Sequence, residues 1–213
     1  MMQSISFTAV ILVAITSTLL IIITDWRIRI GLLALQYFGV FFIISLSWPM
    51  SMAMAKLVAG WMAGAVLGMA LISNPTIAVI KPRILPNLAF PSSSALRNIR
   101  IRPENIFYLF ASVLVGMFAL SFAPTIGTWI PGIQDEQIWS GLLLLGMGIL
   151  QLGFRADPLS CILGLLTLLS GFEILYAAIE QSTLVAGFLA AINLGLALAG
   201  AYLILSPQMP EDE

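Results

Sequence analysis

The chain has 213 residues, 60% of them hydrophobic and 9% charged, with a formal net charge of −1 and a mean hydropathy of +1.05. A soluble domain carries about 25% charged residues, so lipid is the solvent for most of this surface, and long unbroken apolar runs exclude alternating barrel strands in favour of helices. Histidine is absent and Cys161 is the single cysteine, which removes the usual haem and zinc ligands, the commonest general base, and any intrachain disulfide or thiolate cluster.

Seven apolar runs follow in order, at about 6–24, 29–48, 50–73, 105–124, 137–154, 158–181 and 183–205, each long enough to cross the hydrocarbon as a helix. The expected fold class is therefore an all-α polytopic membrane protein with about seven transmembrane helices. The first run has no basic residue before it and reads as an uncleaved helix, not a leader peptide. Arg27 and Arg29 fall between runs one and two, and Lys56 is the one basic residue inside a run. After run three, residues 74–104 hold Pro75, Pro82, Pro86, Pro91 and Pro103 together with Arg97, Arg100 and Arg102. That arginine cluster suits anionic headgroups or an acidic partner, or serves only to fix topology. The expected organisation is a three-helix membrane unit over 1–73, a Pro/Arg-rich loop over 74–104, a four-helix unit over 105–206, and an acidic tail over 207–213.

Eight of the nine Lys and Arg residues lie in alternating loops, which the positive-inside rule puts on the cytoplasmic face. The N-terminus is then outside, and the 74–104 loop and the C-terminus are cytoplasmic. The bacterial inner membrane is the expected location, with a thylakoid-type membrane as an alternative. Runs three and seven also echo each other. Leu57-Val58-Ala59-Gly60 matches Leu184-Val185-Ala186-Gly187, and Gly68-Met69-Ala70-Leu71 matches Gly195-Leu196-Ala197-Leu198. A 3+1+3 parallel pseudo-repeat, with run four as connector, is one reading of this echo. Chance similarity between apolar helices is the other.

Glu173 lies about eight residues from the outer end of run six, roughly 12 Å at helical rise. At that depth it must be protonated, paired or beside a hydrated cavity. It suits a proton relay, or else structural hydrogen bonding between helices. Lys56 lies at a similar level in run three, roughly 9 Å deep, and either pairs with Glu173 or extends its stem to the surface. Asn193 near the middle of run seven hydrogen-bonds a neighbouring helix or holds a water. Gln36, Gln151 and Tyr176 are candidates for polar support. The glycines of runs three and seven, including Gly60, Gly64, Gly68, Gly187, Gly195 and Gly200, are expected to form close-packing faces. No phosphate-binding glycine loop and no Gly-x-Ser-x-Gly occurs, so a self-contained enzyme is not expected.

The segment Ser170-Gly171-Phe172-Glu173-Ile174-Leu175 resembles the Gly-Leu-Glu-Ile segment in the second helix of the small K subunit of bacterial complex I and its antiporter relatives. Residues 190–198, Ala-Ala-Ile-Asn-Leu-Gly-Leu-Ala-Leu, resemble the helix that follows in that subunit. With seven runs and this part at the C-terminal end, the chain looks like the hydrogenase-4 membrane component E. The resemblance implies an integral subunit of a proton- or cation-translocating complex, with Glu173 on the proton-transfer axis. It also implies no redox cofactor on this chain, other membrane subunits of the antiporter-like kind and lipid as partners, and no nucleic acid. The family's second glutamate does not carry over, because Asn193 stands near its place. The rival reading is a stand-alone small transporter or an assembly factor.

Overall fold

The computed structural model describes residues 2–74, 103–130 and 132–206. Seven helices account for nearly all of them: α1 Met2–Ile22, α2 Trp26–Ile44, α3 Met50–Ser73, α4 Pro103–Trp129, α5 Asp135–Phe154, α6 Pro158–Ile179 and α7 Thr183–Leu205. Six are long and apolar enough to cross a membrane, and α1 contributes a shorter apolar stretch, Ser6–Ile22. The chain is a polytopic helical membrane protein. Arg97, Arg100, Arg102 and the acidic tail lie outside the described residues.

Local chemistry sets the helix ends. Asp25 precedes α2 and accepts from the Arg27 N–H at 3.0 Å, while Asp157 precedes α6 and accepts from the Ser160 N–H at 2.9 Å. Each aspartate thereby satisfies one of the orphan donors of a helix start. Pro158 follows in the first turn of α6, where its missing N–H costs nothing. Because Asp25 caps α2 three residues earlier than the apolar run suggests, Arg27 and Arg29 belong to the helix and not to a loop. Helix α4 differs in the other direction. It continues through Pro124 to Trp129, since an internal proline removes only one backbone donor and membrane helices tolerate that loss.

Helices α1–α3 and α5–α7 form two consecutive up-and-down sets, and their counterparts pack together: α1 on α5, α2 on α6 and α3 on α7. Helices α2 and α6 run parallel in close register. Arg29 meets Ser160 and Gln36 meets Thr167, each pair 131 residues apart, and Trp48 meets Glu180 at a separation of 132. Helix α4 lies outside both sets against α5 and α1. Its buried side chains are Ala111, Ser112, Ala119 and Ala123.

The helix order is thus three, one and three, but the tetrads that suggested a repeat are not in register. Leu57 is the eighth residue of α3, whereas Leu184 is the second of α7. The correspondence lies in helix lengths and contacts, not in those matched residues.

Two apolar clusters fill the interior. One, toward the Arg29 end, includes Leu33, Leu67, Leu163, Leu166 and Ala197. The other, toward the Trp48 end, includes Val40, Phe41, Ile44, Leu144, Ile174 and Ala177. Burying a single such side chain is worth about 1.5–3 kcal/mol relative to water. In lipid that drive between helices is absent, and close packing takes over. A polar centre lies among these side chains.

Candidate functional site

Four helices each contribute one polar side chain to this centre. Glu173 comes from α6, Lys56 from α3, Asn193 from α7 and Tyr37 from α2. Their exposures are 1%, 4%, 0% and 1%. Lys56 enters six residues after the start of α3, and Glu173 lies six residues before the end of α6. Those offsets place both about 9 Å from the Trp48 end of their helices.

The bonding closes into a ring. The Lys56 Nζ and Glu173 Oε2 form a direct ion pair. The Asn193 Nδ2 donates to Glu173 Oε1 at 3.2 Å, and the Tyr37 hydroxyl donates to Asn193 Oδ1 at 2.9 Å. The Lys56 ammonium then lies 4.9 Å from the centroid of the Tyr37 ring, within cation–π range. Each carboxylate oxygen has a partner, and Asn193 is held by both of its ends, which defines its orientation. Gly60, one turn beyond Lys56, lies directly under the Tyr37 ring, so that a Cβ there would overlap it. That glycine lets the ring approach α3 closely.

Removing two charges from water is costly, and a buried pair is tolerated only with good geometry and further hydrogen bonds. Here Asn193 and Tyr37 supply those bonds. The ring sets a carboxylate directly against an amine in a site closed to bulk solvent. Asn193 and Tyr37 contribute fixed dipoles that orient the carboxylate.

The structure brings Glu173, Lys56 and Asn193 together. The alternative in which Lys56 extends to the surface does not occur. Tyr176 is not part of the ring; it is half-buried and stacks on Phe172 with ring centroids 5.9 Å apart. Gln36 and Gln151 are buried but lie nearer the Arg29 end. The Gln36 Nε2 donates to Thr167 Oγ1 at 3.3 Å, and Gln151 lies beside Arg29 and Ser160.

Two buried polar residues, one in the ring and one at the far end of the helices, are not evident from sequence. Tyr37 reads as one more aromatic in an apolar helix. Its only signal is the small Gly60, one turn after a buried lysine. Arg29 reads as a topology marker, yet it is 2% exposed. Its Nη2 donates to Ser160 Oγ at 2.8 Å, and its Nη1 is 3.8 Å from an Asp157 carboxylate oxygen.

No protein-family model matches the chain, and neither a curated protein nor a solved structure matches it.

Proposed function

We propose that this chain is an integral subunit of a proton- or cation-translocating membrane complex, of the complex I, membrane-bound hydrogenase or multisubunit antiporter type, with Glu173 as its proton relay. The observation that carries this reading is the buried Lys56–Glu173 pair at the convergence of four helices. Ionisable groups at membrane depth are costly and mark ion or proton pathways by default. The resemblance of 170–175 and 190–198 to the K-subunit helices supplies the kind of complex. In this reading, Lys56 balances the carboxylate, and Asn193 and Tyr37 orient it. Antiporter-like subunits flank the chain, which holds no redox cofactor. The N-terminus faces outward from the bacterial inner membrane.

The test is proton uptake by vesicles containing the whole complex. Glu173→Gln keeps an acceptor for Asn193 but cannot exchange a proton, and should abolish uptake per assembled complex, whatever subunit content survives the loss of the counter-charge to Lys56. Glu173→Asp should retain part of it. The double variant Lys56→Gln with Glu173→Gln keeps neutral amides at both positions; it should assemble and remain inactive. Uptake at the wild-type rate in Glu173→Gln, with normal subunit content, ends the relay reading and leaves the pair as helix-to-helix glue.

A further inference from the structure

Glu173 is about 9 Å from the Trp48 end of α6 and about 22 Å from the Arg29 end. The shorter route is apolar where it leaves Glu173, although its outer end opens on a cavity of about 530 Å³ lined by Ser6, Ser45, Gln134 and Glu136. Toward the Trp48 end the next buried residues on α6 and α2 are Ile174, Ala177, Val40, Phe41 and Ile44, with Leu144 facing them from α5. The buried polar groups farther out on that side are held by protein. The Gln137 Nε2 donates to Ser47 Oγ at 2.8 Å and to the Ile43 carbonyl at 3.3 Å, and the Ser140 hydroxyl donates to the Glu136 carbonyl at 2.6 Å.

The longer route carries a row of polar side chains through the apolar cluster at the Arg29 end. Along α6, Ser160, Thr167, Ser170 and Glu173 recur at spacings of seven, three and three, which strings them along a band that winds about 140° around the helix. All four are buried. Across from them, α2 supplies Arg29, Gln36 and Tyr37, and Ser170 lies beside the Tyr37 hydroxyl. Helix α5 adds Gln151. Among the described residues, the buried side-chain atoms without a hydrogen-bond partner are Arg29 Nε, Gln36 Oε1 and both amide atoms of Gln151, apart from the two that face each other in the ion pair. All of them lie on the Arg29 side of Glu173. Buried polar atoms that protein leaves unsatisfied draw in water wherever a shift of neighbouring side chains gives it room.

We infer that Glu173 exchanges protons with one side only, through a water-bearing file that runs from the Arg29 end past Gln151, Gln36–Thr167 and Ser170. This rests on the relay reading for its purpose. The outer part of the file is a narrow crevice between Leu20, Arg29, Gln151, Phe154, Arg155 and Ser160. Its walls leave no room for a water, so filling requires the guanidinium groups to shift. Arg155 donates to the Ile21 carbonyl at 3.1 Å and Arg29 to Ser160, and release of either contact opens the mouth. Hydronium or hydrogen-bonded water then passes the two glutamines, whose amides both donate and accept. The apolar cluster at the Trp48 end closes the other direction until a partner subunit or a conformational change opens it.

The test uses thiol accessibility in the full chain within its native membrane, on a Cys161→Ser background. Single variants Thr167→Cys and Ser170→Cys are near-isosteric probes of the file, and Ala177→Cys probes the apolar side. Silver ion, a small water-borne cation, is applied in chloride-free medium to right-side-out or everted vesicles, and protection from later maleimide labelling is read after denaturation. Thr167→Cys and Ser170→Cys should be protected at least tenfold faster from the face bearing the Arg29 end, and adding Gln36→Leu should slow this tenfold or more. Ala177→Cys should be protected from neither face. Silver that reaches neither Thr167→Cys nor Ser170→Cys, or that reaches them equally fast from both faces, overturns the file. Failure of the file with Glu173→Gln still inactive leaves the relay standing. An accessible Thr167→Cys with full uptake in Glu173→Gln leaves a hydrated crevice without a relay.

Discussion

At the scale of single residues, the ion pair is held by what would follow if one partner were lost. Lys56→Met leaves Glu173 facing Tyr37 and Asn193 with no counter-charge. Breaking a buried pair from one side costs about 3–5 kcal/mol, whereas replacing both partners by apolar residues is often near neutral. Lys56→Met should therefore lower subunit abundance and the melting temperature in detergent, and Lys56→Met with Glu173→Leu should recover most of the loss. Equal losses in the single and double variants would mean that the two side chains do not act on each other. Glu173 and Lys56 are legible in the sequence because a charge inside an apolar run has no bland explanation at that depth. Tyr37 is not, because its hydroxyl matters only once α7 places Asn193 opposite it. Gln36 and Gln151 are legible as polar residues, but their shared side of Glu173 comes only from how α2 and α5 each pack on α6.

At the scale of helices, the tight contacts are not where the small-residue patterns suggest. An added Cβ at Gly187 or Gly195 meets nothing within 4 Å, and at Gly64 and Gly68 only Ile30 at 3.9 and 4.0 Å. Of the expected faces, only Gly60 and Gly200 are close-packed. The main contact is α5 on α6. A Cβ at Gly171 would lie 2.6 Å from the Leu145 nitrogen and 2.7 Å from the Gly141 carbonyl oxygen, and one at Gly148 would lie 2.6 Å from the Leu168 nitrogen. Backbone atoms cannot rotate away as a side-chain tip can. Gly171→Ala should destabilise by about 1–3 kcal/mol, and Gly187→Ala should be neutral or stabilising by up to about 1 kcal/mol from helix propensity. Thermal unfolding in detergent ranks the two, and the reverse order would contradict this packing. Sequence reveals where glycines recur; which recurrence meets a neighbour depends on helix rotation, and apolar-all-round helices carry no periodic signal to set it.

At the scale of the whole molecule, helix number and order are legible because bilayer thickness and backbone hydrogen bonding leave few alternatives. The pairing of α1 with α5, α2 with α6 and α3 with α7 is not, since the matched tetrads of α3 and α7 occupy different turns. That pairing has a consequence for how the chain could be made. The ring takes Lys56 and Tyr37 from the first three helices and Glu173 and Asn193 from the last three. A gene divided at Pro91 would encode two polypeptides, 1–90 and 91–213, each carrying half of a charge pair into lipid. Expressed separately, both fragments should be degraded; expressed together, they should rescue each other and co-purify. Fragments that persist equally well alone and together would show that neither half depends on the charge carried by the other.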